Sequence, residues 1–389
     1  MSRAIVPDKD TAFQNDLYLS NYFKRPGTVQ QMKMPELKIG HLISRLPIIQ
    51  GGMGVGISMS GLASAVANAG GIGVIAGAMA GITEKDVSTN GLEANCRALS
   101  REIRKAREKT RGIVGVNIMV ALTHFADLVK TAIAEKIDII FAGAGLPLDL
   151  PGFLKKGDRT RLVPIVSSGR AAALICKRWF QRYGYLPDAF VVEGPKAGGH
   201  LGFKAEQLDD PAFSLETLVA DVVAEMKKVE AEHGIRIPVI AAGGVYDGDD
   251  IRRFLQIGAS GVQMGTRFVA THECDADPIF KQSYVDARKE DLMVIKSPVG
   301  LPGRALKNQF LVDVAAGVRR PFRCPYHCIK TCDPEKSPYC IGMALASARR
   351  GKLKNGFAFA GANAFRVDEI VSVKELMRSL ETGYDRATG

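Results

Sequence analysis

Eight short apolar runs, most of them followed directly by glycine or another small residue, recur between Pro47 and Gly265, with helical stretches between them. The runs are Pro47–Gln50, Ile72–Ala76, Ile113–Met119, Ile137–Ala142, Arg161–Ser167, Ala189–Glu193, Ile237–Ala242 and Gly261–Gly265. Continuous apolar strands that alternate with helices indicate a parallel sheet covered on both faces. Eight such units predict a closed α/β barrel, the (β/α)8 or TIM barrel, with a doubly wound open sheet as the alternative.

The turn after the sixth run carries a histidine in glycine-rich sequence. Gly194, Pro195, Gly198 and Gly199 allow a sharp turn, and His200 stands at its end. Histidine titrates near neutral pH, so this position suits a general acid or base. A helix cap or a packed core histidine is the structural alternative. The barrel favours the catalytic interpretation, because chemistry collects at the carboxyl ends of barrel strands.

The last two runs end in glycines that suit a phosphate. Gly243 and Gly244 follow the seventh run, and Gly265 and Thr266 follow the eighth. Barrel enzymes commonly hold phosphate after these two strands, through backbone N–H groups and helix N-termini. Tight turns without a ligand are the alternative. The segment 52–56, Gly-Met-Gly-Val-Gly, lacks the acidic residue of a dinucleotide-binding fingerprint, which argues against an NAD-binding open sheet.

The overall composition is that of a globular protein, with 46% hydrophobic and 24% charged residues. No window reaches the ~18 apolar residues of a membrane span, and acidic and basic residues interrupt the N-terminus early, so we expect a cytoplasmic protein. The net charge is +11, and residues 316–354 hold nine Lys or Arg against Asp333 and Glu335. Without a nucleic-acid motif, this basic segment indicates a solvated face or docking of an anionic partner, and we expect no nucleic acid.

The chain divides into three parts by composition. Residues 1–36 are polar and aperiodic and predict an extended N-terminal arm. Residues 37–315 form the predicted barrel. Residues 316–389 form a C-terminal segment that contains the cysteine cluster and packs on the barrel. Within the barrel, a helix is predicted over Ser58–Ala69, with Ser58 or Ser60 as its N-cap.

Four of the seven cysteines, Cys324, Cys328, Cys332 and Cys340, fall within 17 positions. Zinc sites favour paired cysteines separated by a longer loop. Three cysteines at steps of four, followed by one more, favour a thiolate cage for a [4Fe–4S] cluster, with zinc or no metal as alternatives. The other three cysteines are isolated, and we expect them to be packing residues.

Several segments together resemble the nitronate monooxygenase (2-nitropropane dioxygenase) superfamily, which includes a flavin-dependent enoyl-acyl-carrier-protein reductase. They are the segments at residues 47–53, 193–200, 238–244, 258–266 and 296–300. The resemblance implies an FMN-binding barrel with His200 facing the substrate. It implies FMN contacts at Gly51, Gly52, Met53, Asn117, Ser167, Glu193, Gly199 and Gln263, with the phosphate at Gly243, Gly244, Gly265 and Thr266.

The cysteine cluster and the segments 143–147, 176–179, 339–342 and 359–368 resemble a narrower branch. That branch is the FMN and iron–sulfur acyl-carrier-protein dehydrogenase/isomerase of bacterial unsaturated fatty-acid synthesis. It implies an acyl-carrier protein or another acyl thioester as substrate, O2 or another compound as electron acceptor, and His200 as the base that takes the C2 proton. A homodimer is one expected assembly.

Three alternatives of function remain open at the level of sequence. A nitronate monooxygenase would use the same flavin and the same histidine. In an NAD(P)H-dependent enoyl reductase, the flavin would pass electrons to the acyl substrate instead of taking them from it. A redox sensor without turnover would use the flavin and the cluster as its sensing groups.

Overall fold

The computed structural model describes residues 33–324 and 326–386. Eight parallel strands form the predicted barrel, in the order β3–β11–β10–β8–β7–β6–β5–β4. They are β3 (Ile48–Gln50), β4 (Gly73–Ala76), β5 (Val114–Met119), β6 (Ile139–Gly143), β7 (Arg161–Val166), β8 (Phe190–Glu193), β10 (Val239–Ala242) and β11 (Gly261–Met264). The Ile72 N–H donates to Ile48 O at 3.0 Å, and the Gln50 N–H donates to Ile72 O at 2.9 Å. These bonds join the first and last strands of the order, which confirms the barrel.

Helices surround the barrel in the described part of the chain. They are α1 (Ser60–Asn68), α2 (Gly91–Lys109), α3 (Phe125–Ala134), α4 (Gly169–Tyr183), α5 (Leu215–His233), α6 (Gly248–Ile257), α7 (Thr266–Val269), α8 (Pro278–Val285), α9 (Gln309–Ala315), α10 (Ile341–Arg349) and α11 (Val373–Arg386). Seven of the eight predicted apolar runs contain a whole barrel strand, and β6 extends one residue beyond its run, to Gly143. None of the described helices is long and apolar enough to cross a membrane.

The inside of the barrel is filled by apolar side chains that the strands point inward. Phe141 is fully buried there, and a Cβ on Gly115 of the neighbouring strand would come within 2.7 Å of its ring. The hairpin of β1 (Leu37–Ile39) and β2 (Leu42–Ser44) adds Leu37 and Ile39 to the same cluster. The chain therefore contributes a hydrophobic plug just before the first barrel strand.

The first helix begins differently from the sequence expectation. Its N-cap is Met59, and the Met59 and Leu62 N–H groups donate to the Asp275 carboxylate at 2.8 and 3.2 Å. The Ser60 hydroxyl donates instead to Glu102. The prediction that Ser58 or Ser60 caps this helix was wrong, because a carboxylate more than 200 residues away satisfies the free N–H groups.

The end of the described chain belongs to the outer helix layer. Leu376, Met377 and Leu380 of α11 are buried in the main core. A Cβ on Gly248, at the start of α6, would lie 2.0 Å from the Tyr384 nitrogen. The two helices therefore touch backbone to backbone. The domain boundaries predicted after residues 36 and 315 stay predictions. Residues 1–32 of the predicted N-terminal arm lie outside the described part of the chain.

A second sheet follows from the carboxyl end of β8. It consists of β9 (Gly199–His200), β12 (Leu292–Lys296) and β13 (Pro302–Leu306), all antiparallel. In the register of this sheet, Gly303 lies opposite His200. The sequence did not predict this sheet, which fixes the histidine by backbone pairing.

Candidate active site

The turn between β8 and β9 is shaped by close packing on one side and open space on the other. A Cβ on Gly198 would lie 2.6 Å from the Ala360 carbonyl carbon. Gly199 has a φ of +85°, and a Cβ there would meet no atom within 4 Å. Glycine at position 199 is therefore required by the backbone, and the space beside it is free for a bound group.

His200 has two neighbours that the sequence analysis did not identify. Its Nε2 lies 2.7 Å from the Ser297 hydroxyl oxygen. Its ring also lies edge-on to Phe359, with 5.1 Å between the ring centroids. Burial lowers the pKa of His200 to about 4, so the ring is neutral at pH 7 and available as a proton acceptor. Ser297 falls within a segment that carries the family resemblance, but no spacing rule connects residues 97 positions apart.

Glu193 ends strand β8 beside this turn. Burial raises the pKa of Glu193 to about 7. Among the described residues, no hydrogen-bond donor contacts its carboxylate. Since a desolvated carboxyl without a partner favours the protonated form, Glu193 can donate a hydrogen bond near neutral pH.

Residues predicted to contact FMN meet around the ends of β3, β5 and β11, of which β11 pairs with β3, whereas β4 lies between β3 and β5. They are Gly51, Gly52 and Met53 after β3, Asn117 in β5, and Gln263 and Gly265 around the end of β11. A Cβ on Gly52 would lie 2.4 Å from the Asn117 Cβ, and a Cβ on Gly51 would lie 3.3 Å from the Gln263 side chain. The backbone at Gly51 and Gly52 therefore packs closely against these two polar side chains.

Ser167 lies on another side of the mouth, after β7, which pairs with β8, the strand before the turn to His200. Its hydroxyl oxygen is 3.2 Å from the position that a Cβ on Gly202 would take. Ser167 therefore follows β7 and points toward the chain just after the histidine.

The predicted phosphate residues form a separate group. Gly243 and Gly244 have φ values of +93° and +103°. The Thr266 hydroxyl accepts a hydrogen bond from the Gly361 N–H at 3.0 Å, and the Asn363 side chain donates to Gly244 O at 2.6 Å. The sequence analysis assigned no role to Gly361 and Asn363, although they lie in a segment that resembles the narrower branch.

These groups fit FMN. The glycine backbones at the ends of β10 and β11 supply the side-chain-free surface that a phosphate needs, and the space beside Gly199 is open. Asn117, Gln263 and Glu193 supply polar groups of the kind that contact a flavin ring. The individual roles of the predicted contacts stay predictions.

The four clustered cysteines lie on the chain between α9 and α10, with Cys340 at the start of α10. This loop docks on the connection after β5, where the Thr123 N–H donates to Cys328 O at 3.2 Å. Within residues 33–324 and 326–386, no three His, Cys, Asp or Glu side chains are grouped so that they could hold a metal ion. The cysteines supply the thiol type that an iron–sulfur cluster needs, but their placement does not form its site.

Comparison with known proteins gives a family match over most of the chain. The nitronate monooxygenase family model matches residues 36–383. A nitronate monooxygenase of Pseudomonas aeruginosa is 30% identical over 69% of this chain and 79% of its own length. A (3aS,4S,5R,7aS)-5-hydroxy-7a-methyl-1-oxo-octahydro-1H-indene-4-carboxyl-CoA dehydrogenase of Mycobacterium tuberculosis is 30% identical over 70% of this chain. The chain spans 66% of that dehydrogenase, slightly less than two thirds.

Solved structures are similar over nearly the whole chain. FabK from Thermotoga maritima is 29% identical, with a TM-score of 0.66, and the match covers 88% of this chain and 94% of FabK. The nitroalkane oxidase from Streptomyces ansochromogenes is 22% identical, with a TM-score of 0.68, over 88% of this chain and 97% of that structure. The second likeness supports the fold alone.

Proposed function

The chain belongs to the nitronate monooxygenase family and is an FMN-dependent oxidoreductase, and from that premise we propose that it acts on an acyl thioester. The proposed reaction removes one hydrogen each from C2 and C3, and the resulting double bond can then shift to C3–C4. The observation that carries the proposal is the His200 ring, which is half-buried at the mouth of the barrel beside open space and is neutral at pH 7 because its pKa is lowered.

His200 takes the C2 proton, which the neighbouring thioester carbonyl makes acidic. When bound, FMN would supply the acceptor for the hydride from C3, and O2 or another compound would be the final electron acceptor. For the double-bond shift, His200 moves a proton between C4 and C2 with no net redox change.

Ser297 supports the ring in both protonation states. In the proposed tautomer Nε2 carries the ring hydrogen and donates to the Ser297 hydroxyl oxygen, both when the ring is neutral and when it is protonated. Nδ1 of the neutral ring is then unprotonated and takes the substrate proton. Phe359 packs against the ring and excludes water from this side.

The relatives support a thioester substrate. The Mycobacterium tuberculosis relative and a 28% identical relative from Rhodococcus jostii are both named as carboxyl-CoA dehydrogenases. An acyl-carrier protein is the proposed carrier, because the basic segment at residues 316–354 would attract an acidic protein.

The Pseudomonas relative favours a second candidate, the oxidation of alkyl nitronates with O2.

The deciding experiment is an anaerobic titration of the holoenzyme. Purified protein is mixed with acyl-carrier thioesters, acyl-CoA thioesters of matched chain length, or propyl-2-nitronate, and bleaching of the flavin absorbance is followed by stopped flow. We expect thioesters to bleach the flavin and yield an unsaturated product. Bleaching by the nitronate alone would support the second candidate and contradict the first.

The matching variant test uses His200→Gln, with His233→Gln on the outer helix α5 as its control. We expect His200→Gln to retain FMN and to lose about 10²- to 10⁴-fold in flavin reduction rate, the usual contribution of a general base. The control should react like the wild type. Near-normal rates in His200→Gln would remove this histidine from the mechanism.

We also propose that Cys324, Cys328, Cys332 and Cys340 hold a [4Fe–4S] cluster, for which the four thiols must come closer together than they are in the described structure. The support is the donor type and the spacing, and no step of the reaction is assigned to the cluster. Protein purified without oxygen should contain about four iron and four sulfide per chain and absorb broadly near ~400 nm. Cys328→Ser should lose this iron, whereas Cys96→Ser should keep it. Iron-free protein with full flavin content would contradict the proposal.

A further inference from the structure

Arg304 is a buried arginine in strand β13 of the small sheet. It is 8% exposed, and its Nη1 donates hydrogen bonds to Pro195 O and, at 2.9 Å, to Ala197 O. Neither acceptor is charged, and no carboxylate of the described residues forms an ion pair with this arginine. Its guanidinium is therefore directed at the backbone of the turn that leads to His200.

The backbone around Arg304 holds the same turn from its other end. Gly303 lies opposite His200 in the sheet register, and the Leu201 N–H donates to Pro302 O at 2.8 Å. Gly199 lies opposite Arg304 in the same register, so β13 pairs both residues of the His200 strand. The remaining freedom lies in the turn that leads into this strand.

The residues of that turn have little stiffness of their own. Gly198 and Gly199 carry no side chain, and Gly199 takes a positive φ of +85°. Ahead of them, Lys196 O accepts from the Ala362 N–H at 3.0 Å, so three successive carbonyls of the turn are held from outside. Two of the three, Pro195 O and Ala197 O, depend on one side chain, Arg304.

We propose that Arg304 is a positioning residue for the base: by holding the turn before Gly198, it keeps the His200 ring against Ser297 and Phe359. This inference rests on the proposed role of His200. It adds a residue that does not touch the reacting atoms. The effect should be on the chemical step more than on substrate affinity, because misplacement of a base by ~1 Å can cost about 10²-fold in rate.

An arginine suits this role better than a lysine. The planar guanidinium directs its N–H groups along fixed lines, so one nitrogen serves two carbonyls at once. A lysine ammonium would carry the charge but would have to reach the carbonyls through a flexible stem. Arg304→Lys should therefore restore part of what Arg304→Met loses.

The kinetic test uses holoenzyme of both variants, with Arg161→Met as the matched control. Arg161 is also partly buried and pairs with Asp188, at the amino-terminal end of β7. We expect Arg304→Met to lower kcat at least ~30-fold with KM within about threefold, and Arg304→Lys to fall between it and the wild type. Guanidinium added to Arg304→Ala should recover part of the rate. Arg161→Met should leave kcat unchanged.

A second measurement reports the environment of the His200 ring by NMR and does not depend on catalytic turnover. The ring resonances of 13C-labelled histidine are assigned by their loss in His200→Gln and followed from pH 3 to 8. Wild-type His200 should titrate near the value of about 4 that its burial gives, and in Arg304→Met the midpoint should rise toward that of hydrated histidine. Unchanged His200 resonances and kcat in folded Arg304→Met or Arg304→Lys would overturn the proposal. If His200→Gln itself keeps its rate, the proposed function fails, while the resonances still decide whether Arg304 positions the ring.

Discussion

At the scale of single residues, the Ser297 hydroxyl is the contact that decides how His200 is oriented. In Ser297→Ala the Nε2 atom loses its partner at 2.7 Å, and the ring gains freedom to rotate. We expect a fall of about 10- to 100-fold in the flavin reduction rate, since a poorly oriented base loses most of its advantage. Stopped-flow reduction with a thioester checks this, with Ser283→Ala on helix α8 as control. Equal rates in the two variants would show that the hydroxyl does not orient the ring.

Glu193 makes a prediction about stability and pH. Its pKa is about 7 in the folded protein against 4.5 for the free side chain, so the folded state binds more protons between these values. Stability therefore falls as pH rises through this window, because ionising the half-buried carboxyl, which accepts no hydrogen bond from the described residues, opposes folding. Apo-protein with Glu193→Gln should be more stable than wild type at pH 8, by an order of 1–2 kcal/mol. At pH 4.5 the difference should be small, and urea unfolding at both pH values measures it.

At the scale of elements, the sequence predicted the barrel strands well because each is a continuous apolar run buried on both faces. It missed β9, a strand of two residues whose pairing with β13 lies 100 positions away in the chain. It also missed the cap that Asp275 provides for α1. Periodicity reports burial within one segment, and it carries no information on which distant segment supplies a hydrogen bond.

The same limit applies to the candidate site. His200 and the glycines after β10 were predicted because they lie in turns that follow apolar runs, where the chemistry of a barrel collects. Phe359 and Asn363 were not assigned, because an aromatic residue and an amide in a loop have many ordinary roles. Only the folded chain brings Phe359 to the histidine ring and Asn363 to Gly244.

The turn after β10 gives a prediction for cofactor binding. In Gly244→Ala the new Cβ must take a φ of +103° and would lie 2.9 Å from the Lys196 Cβ. We expect FMN affinity to fall at least ~10-fold, about 1.4 kcal/mol, and riboflavin affinity to change much less, because riboflavin lacks the phosphate. Gly234→Ala is the control, since its φ of +69° is also positive but nothing lies within 4 Å. An equal loss of affinity for FMN and for riboflavin would argue against a phosphate-binding site at this turn.

At the scale of the whole molecule, the C-terminal part of the chain connects the basic segment at residues 316–354 to the candidate active site. Phe357 is stacked with Phe310 and lies edge-on to Phe359, which touches His200. Exposed lysines at positions 352 and 354 precede this aromatic series directly in the chain. A carrier protein bound at these two lysines would therefore lie near the aromatic residues that lead to His200, the residue proposed to act on its acyl group.

This arrangement predicts that charge on the segment sets the affinity for a carrier protein. Reversing Lys352 and Lys354 to Glu should raise KM for an acyl-carrier thioester about tenfold at low salt and less above ~0.3 M, where screening is strong. KM for the matched acyl-pantetheine should not change, because that substrate has no acidic protein surface. Reversal of Lys177 and Lys227 on the outer helices is the control. If both double variants treat the carrier substrate like wild type, the carrier does not dock on this segment, whatever the chemistry at His200.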